Sequence, residues 1–388
     1  MGNATDELHN ETSSCVDIND IVPKFTNDPT QSRAVRIVMA VAYGALFVLG
    51  IALNCGVLRN MSDALSRPRT VFIVNLMCVD LLLIVCCLPI TPLQVINKVW
   101  LFGSLGCHLL SGVQSVSVIV AIWSFTIIVY NKYVNLVINA YTHIEWTLKM
   151  TCATTVCIWT WAVLWTAPLS LVSKTEMGTE KAYRWGTPPL CGTFCYEHWP
   201  ANHARWRASY GMAFPVVQQA LPVSIIAYCY FRIFKKISID LLSASSSQPT
   251  QPDCGAAKRR AMRKRKVTIA SLTVISSFVL SWMPITIRNV VRDVGIWPEW
   301  LTNQEILVTL VTHYIAMTTV VTNPLLIHWS TRRSQALQRR SHQQRQLYQC
   351  RSNFLYSAVK LDAAGQSVVS DCATGRMNQV VMTFLADK

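Results

Sequence analysis

Apolar residues in this chain gather into seven long runs separated by short polar stretches. Windows of about 20 residues, the length a helix needs to cross a hydrocarbon core, recur near 36–58, 71–93, 107–130, 151–172, 211–233, 267–289 and 305–327. In lipid only a helix or a closed barrel satisfies every backbone N–H and C=O, and runs this long predict helices. The expected fold class is an all-α membrane protein, a seven-transmembrane helix bundle. Residues 1–35 are expected to form an N-terminal tail, 36–330 the membrane domain and 331–388 a C-terminal tail. Two runs carry helix breakers: Trp282-Met283-Pro284 in the sixth and Asn323-Pro324 ending the seventh. Proline removes a backbone hydrogen bond and kinks a helix, so Pro284 and Pro324 mark pivots.

Composition agrees: of 388 residues 52% are hydrophobic and only 14% charged, too little charge for a soluble chain of this length. The net charge of +15 is unevenly placed. Arg59, Arg67 and Arg69 follow the first run, Lys235, Lys236 and a basic cluster from Lys258 to Lys266 precede the sixth, and Arg332, Arg333, Arg339 and Arg340 follow the seventh. Seven crossings put all of them on one side, which the positive-inside rule makes cytoplasmic. The N-terminus is then extracellular, where Asn3 and Asn10 head glycosylation tripeptides. A basic cluster abutting a span is a topology signal, so the bilayer of the plasma membrane is the expected partner and nucleic acid is not.

Of fourteen cysteines, only Cys15, Cys107, Cys191 and Cys195 fall outside the membrane on the oxidising side. A bridge from Cys107 would pin the loop before the fifth span over the bundle mouth. Cys191 and Cys195 compete for it, and a second bridge between Cys15 and Cys191 stays open. The eight histidines are dispersed without zinc spacing, and no nucleophile sits near a base, so no metal, cofactor or enzymatic activity is expected. A transporter would need several ionisable residues along a path, but Asp80 alone lies deep in a span.

Five further polar residues interrupt apolar segments: Gln114, Gln218, Asn289, Asp293 and His313. Burying one uncompensated costs a few kcal/mol, so a wet cavity or a ligand accounts for them best. Asn289 and Asp293, four apart, share one helix face. Simpler readings stand beside this one: Asp293 pairing with Arg292 or Arg288, His313 in an interhelical hydrogen bond, the glutamines bridging helices.

Asn54, Asn75-Leu76 with Asp80, Cys107, Trp159 or Trp161, Pro222 with Tyr230, Phe278, Trp282, Pro284 and Asn323-Pro324 follow one another in an order and spacing that resembles the rhodopsin-like G-protein-coupled receptors over roughly 36–345. Within them, Cys195-Tyr196-Glu197-His198-Trp199-Pro200 resembles a loop of neuropeptide Y and neuropeptide F receptors and favours Cys195 as the partner of Cys107. In those receptors the positions of Gln114, Gln218, Asn289, Asp293 and His313 carry the same residue types and line the peptide pocket. The resemblance therefore implies a receptor for an amidated neuropeptide ending in Arg and an aromatic residue. Asp293 would hold the Arg, Asn289 and Gln218 the amide region, and Gln114 and His313 the floor and wall. It also implies signalling through a heterotrimeric G protein of the Gi/o class, with arrestin as a further cytoplasmic partner. Phe278, Trp282, Pro284, Tyr230, Asn323 and Pro324 would form the activation switch. The alternatives are a peptide of RYamide or tachykinin type, or a peptide-binding relative that couples weakly.

Departures from the pattern are as informative. Asp80 and Asn323 match a sodium pocket, yet Ala121 and Thr319 replace a hydroxyl and an amide usual there, so sodium is not expected to be held well. A protonated Asp80 bonded to Asn54 and Asn323 is the alternative. The third span ends in Asn131-Lys132-Tyr133 where Asp/Glu-Arg-Tyr is the rule, and Ile327 stands where a Tyr is expected. The acid that restrains the cation is missing, and Lys lacks the planar fork of Arg. Either raised basal activity or weakened coupling follows; the reading adopted is a receptor that couples less efficiently than its relatives. Residues 331–349 are expected to form a short amphipathic helix on the inner leaflet, with Cys350 a palmitoylation candidate.

Overall fold

The structure is a computed structural model that describes residues 15–18, 20, 30, 32–61, 67–138, 146–178, 190–199, 204–246, 252–296, 298 and 304–364. Asn3 and Asn10, and the side chain of Cys350, lie outside the described residues. Seven of its helices are long and apolar enough to span a bilayer: α1 (Arg33–Met61), α2 (Thr70–Asn97), α3 (Gly103–Ile138), α4 (Leu148–Val172), α5 (Trp206–Ser245), α6 (Gly255–Asp293) and α7 (Glu305–Arg340). Each apolar window falls inside its helix. The helices overrun the windows because backbone hydrogen bonding continues into ends that carry charge, as where α6 takes in the basic cluster from Lys258 to Lys266. The chain divides into two compact units, Met1–Ser330 and Thr331–Lys388, and the described part of the second is helical through residue 364.

Lipid tails give no hydrophobic drive between helices, so close packing and interhelical hydrogen bonds hold such a bundle. α3 occupies its centre, packed against α2, α4 and α5. Asn75 donates to Ser124 Oγ at 2.9 Å and accepts from Trp159 Nε1 at 2.8 Å, knitting α2, α3 and α4. This bond distinguishes Trp159 from Trp161, whose ring is 43% exposed. Asn54 donates to the carbonyls of Gly50 and Val320, both at 2.8 Å, tying α1 to α7. Gly50 permits that approach, since a Cβ there would lie 2.8 Å from Ile84 Cδ1 and 3.1 Å from Val320 Cγ2.

The proline in α5 shows how backbone accounting shapes a span. A π turn, Val216–Ala220, precedes Pro222, and the Leu221 N–H bonds to Val216 O. Pro222 has no N–H to offer Val217 O, and this orphaned carbonyl accepts Trp123 Nε1 from α3 at 3.3 Å. The π turn carries Gln218.

Between α4 and α5 the chain adds a feature the apolar pattern did not predict, an antiparallel hairpin of β1 (Ser173–Met177) and β2 (Thr193–Glu197). Cys195 on β2 is bonded to Cys107 at the start of α3, and Cys15 to Cys191. Gly192, at φ +103°, turns the chain sharply between the second bridge and β2. Both ends of the approach to β2 are thus covalently fixed. A Gly50→Val variant, which forces a branched side chain into the α1–α2–α7 contact, is expected to cost about 1–3 kcal/mol. Thermal denaturation of the detergent-solubilised protein should register this as a clear fall in midpoint, and an unchanged midpoint would contradict the packing.

Candidate functional site: a polar cavity beneath the hairpin

A cavity of about 1060 Å³ lies within the bundle at the hairpin end. Gln114 from α3, Gln218 from α5, and Asn289 and Asp293 from α6 all line it, together with Trp282 two turns deeper on α6. Gln114 and Gln218 are half-buried and make no hydrogen bond among the described residues. Asp293 makes no ion pair within 4 Å among the described residues. Its neighbours do: Arg288 and Arg292 both reach Glu305 at the start of α7, at 3.6 and 3.8 Å. Gly211 on α5 lies beside the acid, where a Cβ would stand in ordinary contact, 3.4 Å from Asp293 Oδ2.

Residues that the sequence did not place in the pocket complete the wall. Trp199, Tyr210 and Phe214 line it as an aromatic series, with Tyr210 ring centroids 5.8 Å from Trp199 and 5.6 Å from Phe214. Tyr210 is oriented by donating to Trp165 O at 2.9 Å. Glu197 and Arg207 add a second acid and a cation to the rim. The aromatic spacing of Tyr210 and Phe214, four apart on one helix face, was a signal available in the sequence. Such a site can take a cationic group at Asp293 or Glu197 and an aromatic group against the wall.

His313 is not brought to the cavity lining. It is 2% exposed, with Nδ1 3.1 Å from Tyr43 OH and Nε2 3.0 Å from Thr91 Oγ1, and both ring nitrogens are engaged between α1, α2 and α7. Its contact with the cavity is indirect, through Thr91, which lines it. Deeper still, Asp80 is fully buried and accepts from Asn323 Nδ2 at 3.2 and 3.3 Å. Ala121 has no side-chain oxygen to offer, and Asn323 presents a donor nitrogen to both carboxylate oxygens. Phe278 bridges Trp282 and Phe125, with centroids 6.1 and 5.3 Å away, and so connects the cavity to the bundle interior.

The family model for the 7 transmembrane receptor (rhodopsin family) matches residues 54–326. The chain belongs to the rhodopsin family of seven-transmembrane receptors. It is 26% identical to neuropeptide receptor npr-1 of Caenorhabditis elegans over 79% of this chain and 72% of that protein. It is 27% identical to the neuropeptide F receptor of Drosophila melanogaster (74% of this chain, 58% of that one) and 27% identical to neuropeptide Y receptor type 1 of Xenopus laevis (74% and 75%). All three relatives are named as receptors, and this chain is a multi-pass membrane receptor of the rhodopsin family.

At the end of the receptor opposite the cavity, the altered triplet has its own arrangement. Asn131, in the place of the acid, accepts from Asn135 Nδ2 at 2.7 Å within its own helical run. Lys132 Nζ instead reaches α6, donating to Ser271 Oγ at 2.9 Å and Val267 O at 3.4 Å. Tyr230 OH on α5 meets the same Ser271 Oγ at 2.9 Å. A neutral serine thus joins α3, α5 and α6 where an ion pair would have held α3 to α6. An ion pair between Lys264 on α6 and Asp240 on α5, at 4.0 Å, joins the same two helices and is part-exposed. Ile327 is buried as an apolar core residue. Removing the shared hydroxyl with Ser271→Ala should weaken this α3–α5–α6 junction by about 1 kcal/mol. Ligand-independent nucleotide exchange on a coupled G protein should then rise several-fold, and unchanged or lower basal exchange would contradict this role.

Proposed function

We propose that this receptor responds to an amidated neuropeptide ending in Arg and an aromatic residue, of the neuropeptide Y/F type, and signals through a Gi/o protein. The hairpin end and N-terminus face the extracellular space, and the basic ends of the helices face the cytoplasm. The observation that carries the reading is the carboxylate of Asp293 on the cavity wall, without an ion pair among the described residues while Arg288 and Arg292 engage Glu305. An Arg guanidinium of the ligand supplies the missing partner bidentately. The aromatic residue packs against Trp199, Tyr210 and Phe214, and Gln114, Gln218 and Asn289 offer donors and acceptors for the amide end. Names of relatives that respond to neuropeptides Y and F support the same class. Asp293 is exposed at the rim, so its loss should cost about 1–3 kcal/mol, roughly ten- to hundredfold in potency. G-protein activation by Arg-Phe-amide and Arg-Tyr-amide peptides, with Asp293→Ala at matched surface expression, checks this. Equal potency on both receptors would overturn the anchor.

Coupling is proposed to be less efficient than in relatives with Arg at position 132. The Lys132 ammonium is a compact point charge that lacks the fork of a guanidinium. Agonist-stimulated nucleotide exchange should rise in Lys132→Arg. No gain would remove this part of the proposal.

A further inference from the structure

β2 is paired with β1 along one edge, and along the other only Thr193 has a backbone partner among the described residues. Its register pairs Glu176 with Phe194 and Lys174 with Tyr196, flanked by Gly178 N–H to Gly192 O at 2.9 Å and His198 N–H to Val172 O at 2.7 Å. In an antiparallel ladder, residues that exchange backbone bonds with the partner alternate with residues whose N–H and C=O point the other way. Counting from the two flanking bonds, Phe194 and Tyr196 direct their backbone groups to β1. Thr193, Cys195 and Glu197 direct theirs outward. Trp100 fits this parity, since its N–H donates to Thr193 O at 2.7 Å from outside the hairpin. The outward groups of Cys195 and Glu197 have no backbone partner among the described residues.

The direction of that edge follows from what borders the cavity. Side chains of successive strand residues point to opposite faces. Yet Cys195, Tyr196 and Glu197, three in a row, all line the cavity, as does Trp100. A cavity bordered by consecutive residues runs along the strand's edge, and β1 occupies the other edge. The bond between Cys107 and Cys195 fixes this edge to the head of α3.

We propose that the outer edge of β2 is a backbone-recognition site, where an extended segment of the peptide ligand, upstream of its C-terminal Arg, pairs as an added strand with Cys195 and Glu197. This rests on the peptide reading above. Two outward positions two residues apart span about 7 Å, the repeat at which every second residue of an extended chain presents its own N–H and C=O. The edge is continuous with the cavity holding Asp293, and the Glu197 carboxylate adds negative charge beside the path of a ligand that ends in a cationic Arg. Main-chain pairing contributes affinity without reading side chains, while Asp293 and the aromatic wall read the last residues.

Single N-methyl substitutions along the peptide, measured by displacement on the wild-type receptor in membranes, test the proposal together with amide hydrogen exchange over residues 193–199. Expected are losses of about tenfold at two peptide positions two apart, with the residue between them tolerant. Peptide binding should also slow exchange at Cys195 and Glu197. A flat or uniform methylation profile with unchanged exchange, while Asp293→Ala still weakens binding, would overturn the strand edge and leave the peptide reading standing. Slow exchange at Cys195 and Glu197 before peptide is added would mean the receptor's own chain covers the edge, and would overturn it too. No displacement by the unmethylated peptide would overturn both.

Discussion

Inside a bilayer a polar group has no water to fall back on, so each one must find a partner in the protein or face a cavity. Two sets among the polar residues of this receptor follow that constraint. Asn54, Asn75, Ser124, Trp159, His313 and Asn323 hydrogen-bond across helix contacts and hold the bundle together where apolar side chains alone give little preference for one packing, with Asn54 Oδ1 and Asn323 Oδ1 left without a partner among the described residues. Gln114, Gln218 and Asp293 are left unpaired by the helices and gather around one cavity. The same logic operates on the backbone: Pro222 orphans a carbonyl, Trp123 satisfies it, and the local π turn carries Gln218 on the cavity wall.

The mouth is organised by covalent bonds rather than by burial. Cys107–Cys195 and Cys15–Cys191 hold the approach to β2 from both sides, and the hairpin becomes a fixed border instead of a loose loop. A preformed rim spares part of the ordering cost of binding an extended peptide. Below it, Trp282 and Phe278 connect the cavity to the bundle interior. At the far end, the Lys132–Ser271–Tyr230 junction restrains α3, α5 and α6 through hydrogen bonds. Ligand and G protein would then act on one bundle whose two ends are held by different chemistry, one covalent and one breakable.

The seven spans were legible because lipid imposes a length and an apolarity that few soluble segments meet, and Asp80, Trp282 and Pro284 stand out against that background. Which way a polar side chain turns was not legible. His313 and Gln114 look alike in the sequence, but one closes a bridge to Tyr43 and Thr91 while the other faces the cavity. Trp159 and Trp161 differ only in which face of α4 meets Asn75. The hairpin was not legible because its strands are short and polar, nor was the role of Ser271, because a neutral hydroxyl carries none of the charge that marks an ion-pair partner. The pairing of Cys107 rested on family resemblance, and the structure supplied its geometry.

The most direct test of the central claim is a double-mutant cycle in binding between receptor Asp293→Asn and a peptide whose C-terminal Arg is replaced by citrulline, which keeps shape and removes charge. If the carboxylate holds that guanidinium, each change alone weakens binding and the two together weaken it no further, a coupling of about 1–3 kcal/mol. Strictly additive effects would mean that Asp293 does not hold the Arg, and would contradict the account.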